Sequence, residues 1–288
     1  MKELIPRRES DANKGSCGKV LIIAGSRGMT GAAALAARGA LRSGAGLVTV
    51  GVPRTQRHIV ASSVIEAMTL SLDESRGRVS MGALDKILKE AANSDAVVFG
   101  PGLGKDDGAI HVVLKNILAE YSGKLIIDAD GLNALSENCT ILNNMKSETL
   151  ITPHPGEMAR LARLSVAEVQ RDRKRVAVEF AKKYGVSVLL KGESTIVAEG
   201  VESGIGRIYT NTTGNPGMAT GGTGDVLAGV IGSFAAQGLS IYDAARLGAY
   251  IHGKAGDMAA EKFGIHGLIA GDVTDYIAFA IKDEYEKK

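Results

Sequence analysis

Five short apolar runs, KVLIIAG, LVTVGV, DAVVFG, KLIIDAD and VSVLLKG, constrain this fold more than any other feature of the chain. Continuous apolar runs of that length are the mark of strands buried on both faces, which a parallel sheet covered by helices provides. Helical periodicity over 31–43, 81–92, 108–121 and 166–184 supplies the cover, and the last stretch opens with a capping box, Ser165 with Glu168. After the strand-like segments TIVAEG and GRIYT the alternation stops, and 220–237, 241–260 and 268–281 all read as helices. Ser240 and Asp243 form a second capping box there. The expected class is α/β, with a central, mostly parallel β-sheet and helices on both faces. No repeat, low-complexity tract or linker divides residues 1–288, so a single domain is expected.

Composition removes several functional classes. A net charge of +2 gives no surface for nucleic acid and no polybasic membrane patch. The cluster Arg171, Arg173, Lys174 and Arg175 alternates with Val176, Val178 and Phe180, and reads as the solvated face of an amphipathic helix. Tryptophan is absent and aromatics are 4%, which argues against a stacking platform for single strands. Cys17 and Cys139 are too few for a disulfide framework or a metal site. The opening MKELIPRRES lacks a signal peptide's apolar core and no run is long enough to span a bilayer, so the expected setting is cytoplasmic. Glycine is the outlier at 37 residues without a period, which implies many tight strand-to-helix turns of the kind that approach phosphates.

The strongest such turn is Thr212–Asp225, TTGNPGMATGGTGD, leading into a helix marked by Val226, Leu227, Val230, Ile231 and Phe234. Converging backbone N–H groups and the positive end of the helix make an anion hole. An aspartate at its mouth, Asp225, repels phosphate in the ground state, but it suits a general base that deprotonates a hydroxyl undergoing phosphorylation. The plainer alternative is a helix cap.

Other strand exits carry weaker signals. Gly25–Gly31 is not a Walker A loop, because no Gly-Lys-Ser/Thr closes it. Gly100-Pro101-Gly102-Leu103-Gly104 begins a dinucleotide fingerprint whose third glycine falls on Asp107, so the motif is broken and leaves a close approach to a ligand or a tight turn. The carboxylates of Asp128-Ala129-Asp130-Gly131-Leu132-Asn133 hold a metal, position a ligand hydroxyl, or merely serve turn and cap chemistry. In Thr152–Glu157, prolines stiffen the chain around His154, either a ligand contact or a structural hydrogen-bonder, whereas His252 inside an apolar helix reads as structural. Lys191-Gly192-Glu193-Ser194-Thr195 joins two strand-like runs as a hairpin turn able to cover a nucleotide.

Taken in order, GSRGMTGAAALAARGALRSGAGLVTV, GPGLG, DADGLNAL, TPHPGEMARL, LLKGEST and GNPGMATGGTGDVLAGVIGSFAAQG resemble the ADP-dependent (S)-NAD(P)H-hydrate dehydratases, from about residue 15 to 275. The resemblance implies a ribokinase-like three-layer sandwich and a metabolite-repair reaction. ADP, or ATP, with Mg2+ alongside, activates the hydroxyl at ring carbon 6 of hydrated NADH or NADPH, and departure of phosphate restores the reduced ring. It assigns Asp225 as the catalytic base. Lys191, Gly192, Glu193, Ser194, Thr195, Gly222, Thr223 and Gly224 would hold the nucleotide. Gly31, Ala32 (or its neighbour Ala33), Gly102, Gly104, Asn133 and His154, with Asp225, would contact the hydrate. No protein metal ligands are assigned. It further implies a stand-alone dehydratase served by a separate epimerase, and a homo-oligomer, with a tetramer as one form. The nearest rival is a ribokinase-fold kinase acting on a hydroxymethyl- or hydroxyethyl-heterocycle, whose product would keep the phosphate. A non-catalytic nucleotide sensor would have no use for Asp225, and the broken fingerprint weighs against a Rossmann dehydrogenase.

Overall fold

The structure, a computed structural model, describes residues 1–104, 108–201 and 206–286, so Asp107 lies outside the described residues. The strands are β1 (Lys19–Ile23), β2 (Leu47–Pro53), β3 (Met68–Leu72), β4 (Glu74–Ser75), β5 (Arg78–Val79), β6 (Ala96–Phe99), β7 (Lys124–Ile127), β8 (Glu148–Ile151), β9 (Ser187–Leu190), β10 (Ile196–Ala198) and β11 (Ile208–Thr210). Nine of them form one sheet in the order β11-β10-β9-β8-β7-β6-β1-β2-β3, and β4 and β5 make a small hairpin apart from it. Pairing is parallel from β3 to β9, and antiparallel from β9 to β10 and from β10 to β11. The mostly parallel sheet is as expected, and the Lys191–Thr195 segment is the hairpin turn between β9 and β10.

The helices are α1 (Thr30–Arg42), α2 (Arg57–Ser63), α3 (Leu84–Ala91), α4 (Ala109–Glu120), α5 (Asp130–Glu137), α6 (Pro155–Ala162), α7 (Val166–Arg171), α8 (Arg173–Tyr184), α9 (Thr223–Ala236), α10 (Ile241–Gly267) and α11 (Ala270–Glu286). Strand side chains feed two cores in alternation. Val20 and Ile22 pack with α1, α2 and α9–α11 on one face, while Leu21 and Ile23 pack with α3–α8 on the other. This is the three-layer arrangement. Among the described residues no helix is long and apolar enough to cross a membrane.

Three sequence expectations need correction. The helix over 166–184 is two helices, broken at Asp172, which leaves helical geometry (φ −152°) and accepts a hydrogen bond from the Arg175 N–H to start α8. The helix over 220–237 begins only at Thr223, because Gly222 adopts φ +93° as its N-cap. Ser240 does accept from the Asp243 N–H, at 3.1 Å. However, the aspartate carboxylate, one methylene shorter than glutamate, takes the Ser240 hydroxyl at 2.8 Å instead of the serine N–H.

Helix α9 positions the site. Every residue from Val226 to Ala236 is buried, the pattern of a helix enclosed on all sides. It lies flat on α1 because Gly229 has no side chain to collide with the Ala36 carbonyl. Its N-terminus therefore emerges from the core at a fixed place, above the carboxyl ends of the central strands.

Candidate active site

The turn before α9 is built against α10. Gly253 and Gly256 leave room there for Thr213 and Met218, so the loop rests on the helix backbone. Asp257 then accepts from the Gly214 N–H and the Asn215 side-chain amide, both at 2.9 Å. Asn215 in turn accepts from the Gly217 N–H at 3.0 Å. The Thr223 hydroxyl reaches back to the Met218 and Thr220 carbonyls at 3.0 Å. Buried His252, 7% exposed, backs onto the Thr223 backbone, and burial holds its pKa at about 4, so it acts as a neutral structural group, as expected. With its carbonyls turned inward, the loop delivers the unpaired N–H groups of the α9 start to an open surface. No atom lies within 4 Å of where a Gly221 side chain would begin.

Asp225 stands in the first turn of α9 and makes no side-chain capping bond, because Gly222 already occupies the N-cap. The helix-cap alternative therefore fails on geometry. Burial, reinforced by the charge of nearby Asp128 and opposed by Lys191, pushes the Asp225 pKa up to about 7. An acid poised there can accept a proton near neutral pH.

Beneath this helix start the ends of β7, β8 and β9 meet. Asp128, 1% exposed, accepts through one oxygen from Lys191 Nζ at 2.7 Å and Thr152 Oγ1 at 2.8 Å. Burial works against the Lys191 charge, but Asp128, Glu157 and Asp225 outweigh it and hold the ammonium above the ordinary lysine pKa. No group of three or more His, Cys, Asp or Glu able to hold a metal exists among the described residues. A side chain on Gly224 would begin 3.4 Å from Lys191 Nζ, which places the ammonium directly against the α9 start.

The Lys191–Thr195 turn is held from outside. Arg173 donates to the Glu193 carbonyl and, at 2.8 Å, to the Ser194 carbonyl. Ser194 accepts a left-handed conformation (φ 52°) and Thr195 Oγ1 closes onto the Gly192 carbonyl at 3.0 Å. Of the basic cluster, Arg171, Lys174 and Arg175 are exposed, as expected of a solvated helix face, and Arg173 alone departs from that reading. Arg173, first residue of α8, turns inward and fixes the turn, and its Nε is buried.

The remaining sequence candidates gather where the strand order reverses, between β1 and β6, the crevice in which open α/β sheets bind ligands. The Gly25 N–H donates to the Pro101 carbonyl at 2.8 Å and joins the two glycine-rich exits. Gly102 lies against Ala32, whose methyl would be 2.8 Å from a Gly102 side chain. Ala32 is half-buried and Ala33 fully buried (0%). Gly31 opens to solvent in the first turn of α1. The Gly104 N–H donates to Asp130 at 2.8 Å, Asn133 donates to Asp130 at 3.1 Å, and Arg160 donates to Asn133 at 2.8 Å. Gly104, Asp130, Asn133 and Arg160 line a cleft of about 400 Å³. His154 and Glu157 cap α6 reciprocally: His154 Nδ1 accepts from the Gly156 N–H (2.9 Å), and Glu157 accepts from the His154 N–H (2.8 Å). Nδ1 is thereby the acceptor, so the neutral ring carries its proton on Nε2. Burial, Lys191 and Arg160 keep the His154 pKa below its usual value.

The structure thus brings together Asp225, Lys191 and the Gly222–Gly224 start, and separately Gly102, Gly104, Asn133 and Ala32. Sequence reasoning missed Arg160, Arg173, Asp257 and the pairing of Asp128 with Lys191. An aspartate closing an apolar strand run was the one usable signal for the last.

A family model described as NAD(P)H-hydrate dehydratase matches residues 20–278. The bifunctional NAD(P)H-hydrate repair enzyme of Moorella thermoacetica is 44% identical over 284 residues, 98% of this chain, which spans only 53% of that longer relative. The ADP-dependent (S)-NAD(P)H-hydrate dehydratase of Neisseria meningitidis is 37% identical over 270 residues, 92% of this chain and 86% of that one. Among solved structures, the ADP/ATP-dependent NAD(P)H-hydrate dehydratase of Bacillus subtilis, co-crystallised with ATP/Mg2+, superposes with a TM-score of 0.82 at 27% identity, covering 98% of this chain and 95% of that one. The three-layer architecture is accordingly ribokinase-like. With the family model spanning nearly the whole length, the chain belongs to the NAD(P)H-hydrate dehydratase family.

Proposed function

We propose that this protein dehydrates the S epimer of hydrated NADH and NADPH, with ADP or ATP as co-substrate. The observation that carries the reading is Asp225, uncapped and with its pKa at about 7, at the mouth of an N–H-lined helix start beside a lysine ammonium. Such a site performs phosphoryl transfer to a hydroxyl. The nucleotide lies under the Lys191–Thr195 turn with its phosphates on Gly222, Thr223 and Gly224. The hydrate lies in the cleft with Gly31, Ala32, Gly102, Gly104, Asn133 and His154, its ring hydroxyl toward Asp225. Asp225 takes the hydroxyl proton as the oxygen attacks the terminal phosphorus, and the N–H groups of the helix start stabilise the charge that develops on the phosphoryl oxygens. Hydroxide leaves poorly and phosphate well. The ring nitrogen then expels the phosphate, and loss of the proton from the adjacent carbon regenerates the reduced ring.

Residues 1–288 serve as one unit in this reading. Mg2+ would accompany the nucleotide and would neutralise charge on its phosphates during transfer. An epimerase activity supplies the S form, and the protein acts as a homo-oligomer in the cytoplasm. Incubation with the S hydrate and each nucleotide, followed by nicotinamide absorbance and phosphate release, tests the activity. A stable phosphorylated product without recovery of absorbance would instead identify a kinase.

A further inference from the structure

Three neighbouring strands end in side chains that meet. Asp128 follows β7, Thr152 follows β8 and Lys191 follows β9, and both partners bond the same Asp128 oxygen, at 2.7 Å from the lysine and 2.8 Å from the threonine. As a staple for the sheet this is a poor device. Desolvating two charges costs as much as their attraction returns, and apolar side chains of similar shape would hold the strand ends at least as well. The pair therefore calls for another role. Its location supplies one: a methyl on Gly224 would begin 3.4 Å from Lys191 Nζ and 3.9 Å from the second Asp128 oxygen, so the pair sits against the α9 start. Among the described residues one of the three ammonium donors is engaged, by Asp128, which leaves two for a ligand.

We propose that Lys191 is a catalytic residue whose ammonium stabilises the phosphoryl group in transfer, and that Asp128 is the positioning residue that aims it there. The inference rests on the function proposed above and assigns Lys191 a task beyond holding the nucleotide. As the substrate oxygen bonds to the terminal phosphorus, its proton passes to Asp225. The bond from phosphorus to the bridging oxygen breaks, and its electron pair leaves with the nucleotide, as AMP when ADP is used. Negative charge gathers on the peripheral and departing oxygens, beside the ammonium, which keeps its proton throughout. The charged groups around this centre are Asp128, Asp130, Glu157, Arg160 and Asp225, and the neighbouring His154 and His252 are both held toward the neutral form.

The test compares Lys191→Met, Asp128→Asn and the double variant with the parent enzyme, measuring kcat, the nucleotide KM, and the acidic limb of the pH profile. In Lys191→Met, kcat falls at least roughly a hundredfold, the scale of losing one charge-stabilising donor, and the nucleotide KM rises less than tenfold. The acidic limb moves up, because Asp225 has lost a neighbouring cation. In Asp128→Asn the limb moves down, because a neighbouring anion is gone. Lys191→Met leaves Asp128 buried and unpaired, so its folding is at risk; the double variant removes both charges and keeps the shape. A double variant that folds and stays at the low kcat supports the proposal. One that regains the parent kcat shows the pair to be a staple and overturns it, leaving the dehydratase reading intact. A parent enzyme that restores no reduced cofactor with any nucleotide overturns that reading and this proposal together.

Discussion

Replacing Asp225 with asparagine separates chemistry from architecture. Asparagine keeps the size of the side chain and, because Asp225 makes no capping bond, no helix contact is lost. Loss of a general base typically costs about a hundredfold to ten-thousandfold in rate, roughly 3–5 kcal/mol of transition-state stabilisation. Nucleotide affinity should hold or rise, since a charge facing the phosphates is gone. Stability should change with a definite sign. The carboxyl ionises near 3.8 when unfolded and at about 7 in the folded protein, so between those values the folded state binds more protons. Its contribution to stability is then greatest at acid pH, declines as pH rises toward 7, and stands as a full penalty above it. Moving a carboxyl pKa by that much corresponds to about 4 kcal/mol at most; solvent at the mouth of the cleft reduces the gain from Asp225→Asn to roughly 1–2 kcal/mol at pH 8, or a few degrees in Tm. Thermal melting of both proteins at pH 5 and pH 8, beside initial rates on the S hydrate, measures both effects. A folded variant that works at near the parent rate, or gains no more stability at pH 8 than at pH 5, refutes the assignment.

Three further outcomes are expected. The parent kcat/KM should rise with pH and level off above about 7 as Asp225 ionises; a profile flat from pH 5.5 to 8.5 counts against it. Gly224→Ala has van der Waals space and a favourable helical position, so the protein should fold. The methyl then stands between Lys191 and the phosphate site, and calorimetry should show nucleotide affinity lower by about tenfold or more, the weight of one charge-assisted hydrogen bond. Arg173→Lys replaces a planar guanidinium, one terminal nitrogen of which donates to both carbonyls, with a point charge on a differently shaped stem, so the nucleotide KM should rise roughly tenfold while kcat stays within a factor of about three. An unchanged KM would detach the turn from nucleotide binding.

Features that depend on near neighbours in sequence are legible from the sequence alone. The double-faced strands announced themselves because each is a continuous apolar run, and Asp225 stood out because it interrupts a phosphate-binding pattern with the wrong charge. The edge strand β3, MTLSL, was missed because most of its residues are only partly buried and its pattern is correspondingly mild. The break at Asp172 was missed because apolar periodicity continues through it; the deciding event is a side-chain bond to the Arg175 N–H. Site residues that work through tertiary contacts left no local trace. Arg173 looks like one more surface cation beside Arg171 and Arg175 until the β9–β10 turn folds beneath it. Asp128 reads as turn chemistry until Lys191 arrives from two strands away.

Burial of α9 along its whole length past Asp225 means that the phosphate cradle has no private equilibrium. A loop-borne site can open, fray or be clipped while the domain persists; here the amides at the start of the helix continue into its most enclosed segment. Hydrogen exchange along that helix should proceed only through global unfolding, and in denaturant activity and tertiary structure should vanish at one midpoint. By the same linkage a nucleotide seated on the cradle raises the unfolding free energy of the entire molecule, so melting temperature becomes a direct gauge of ligand affinity.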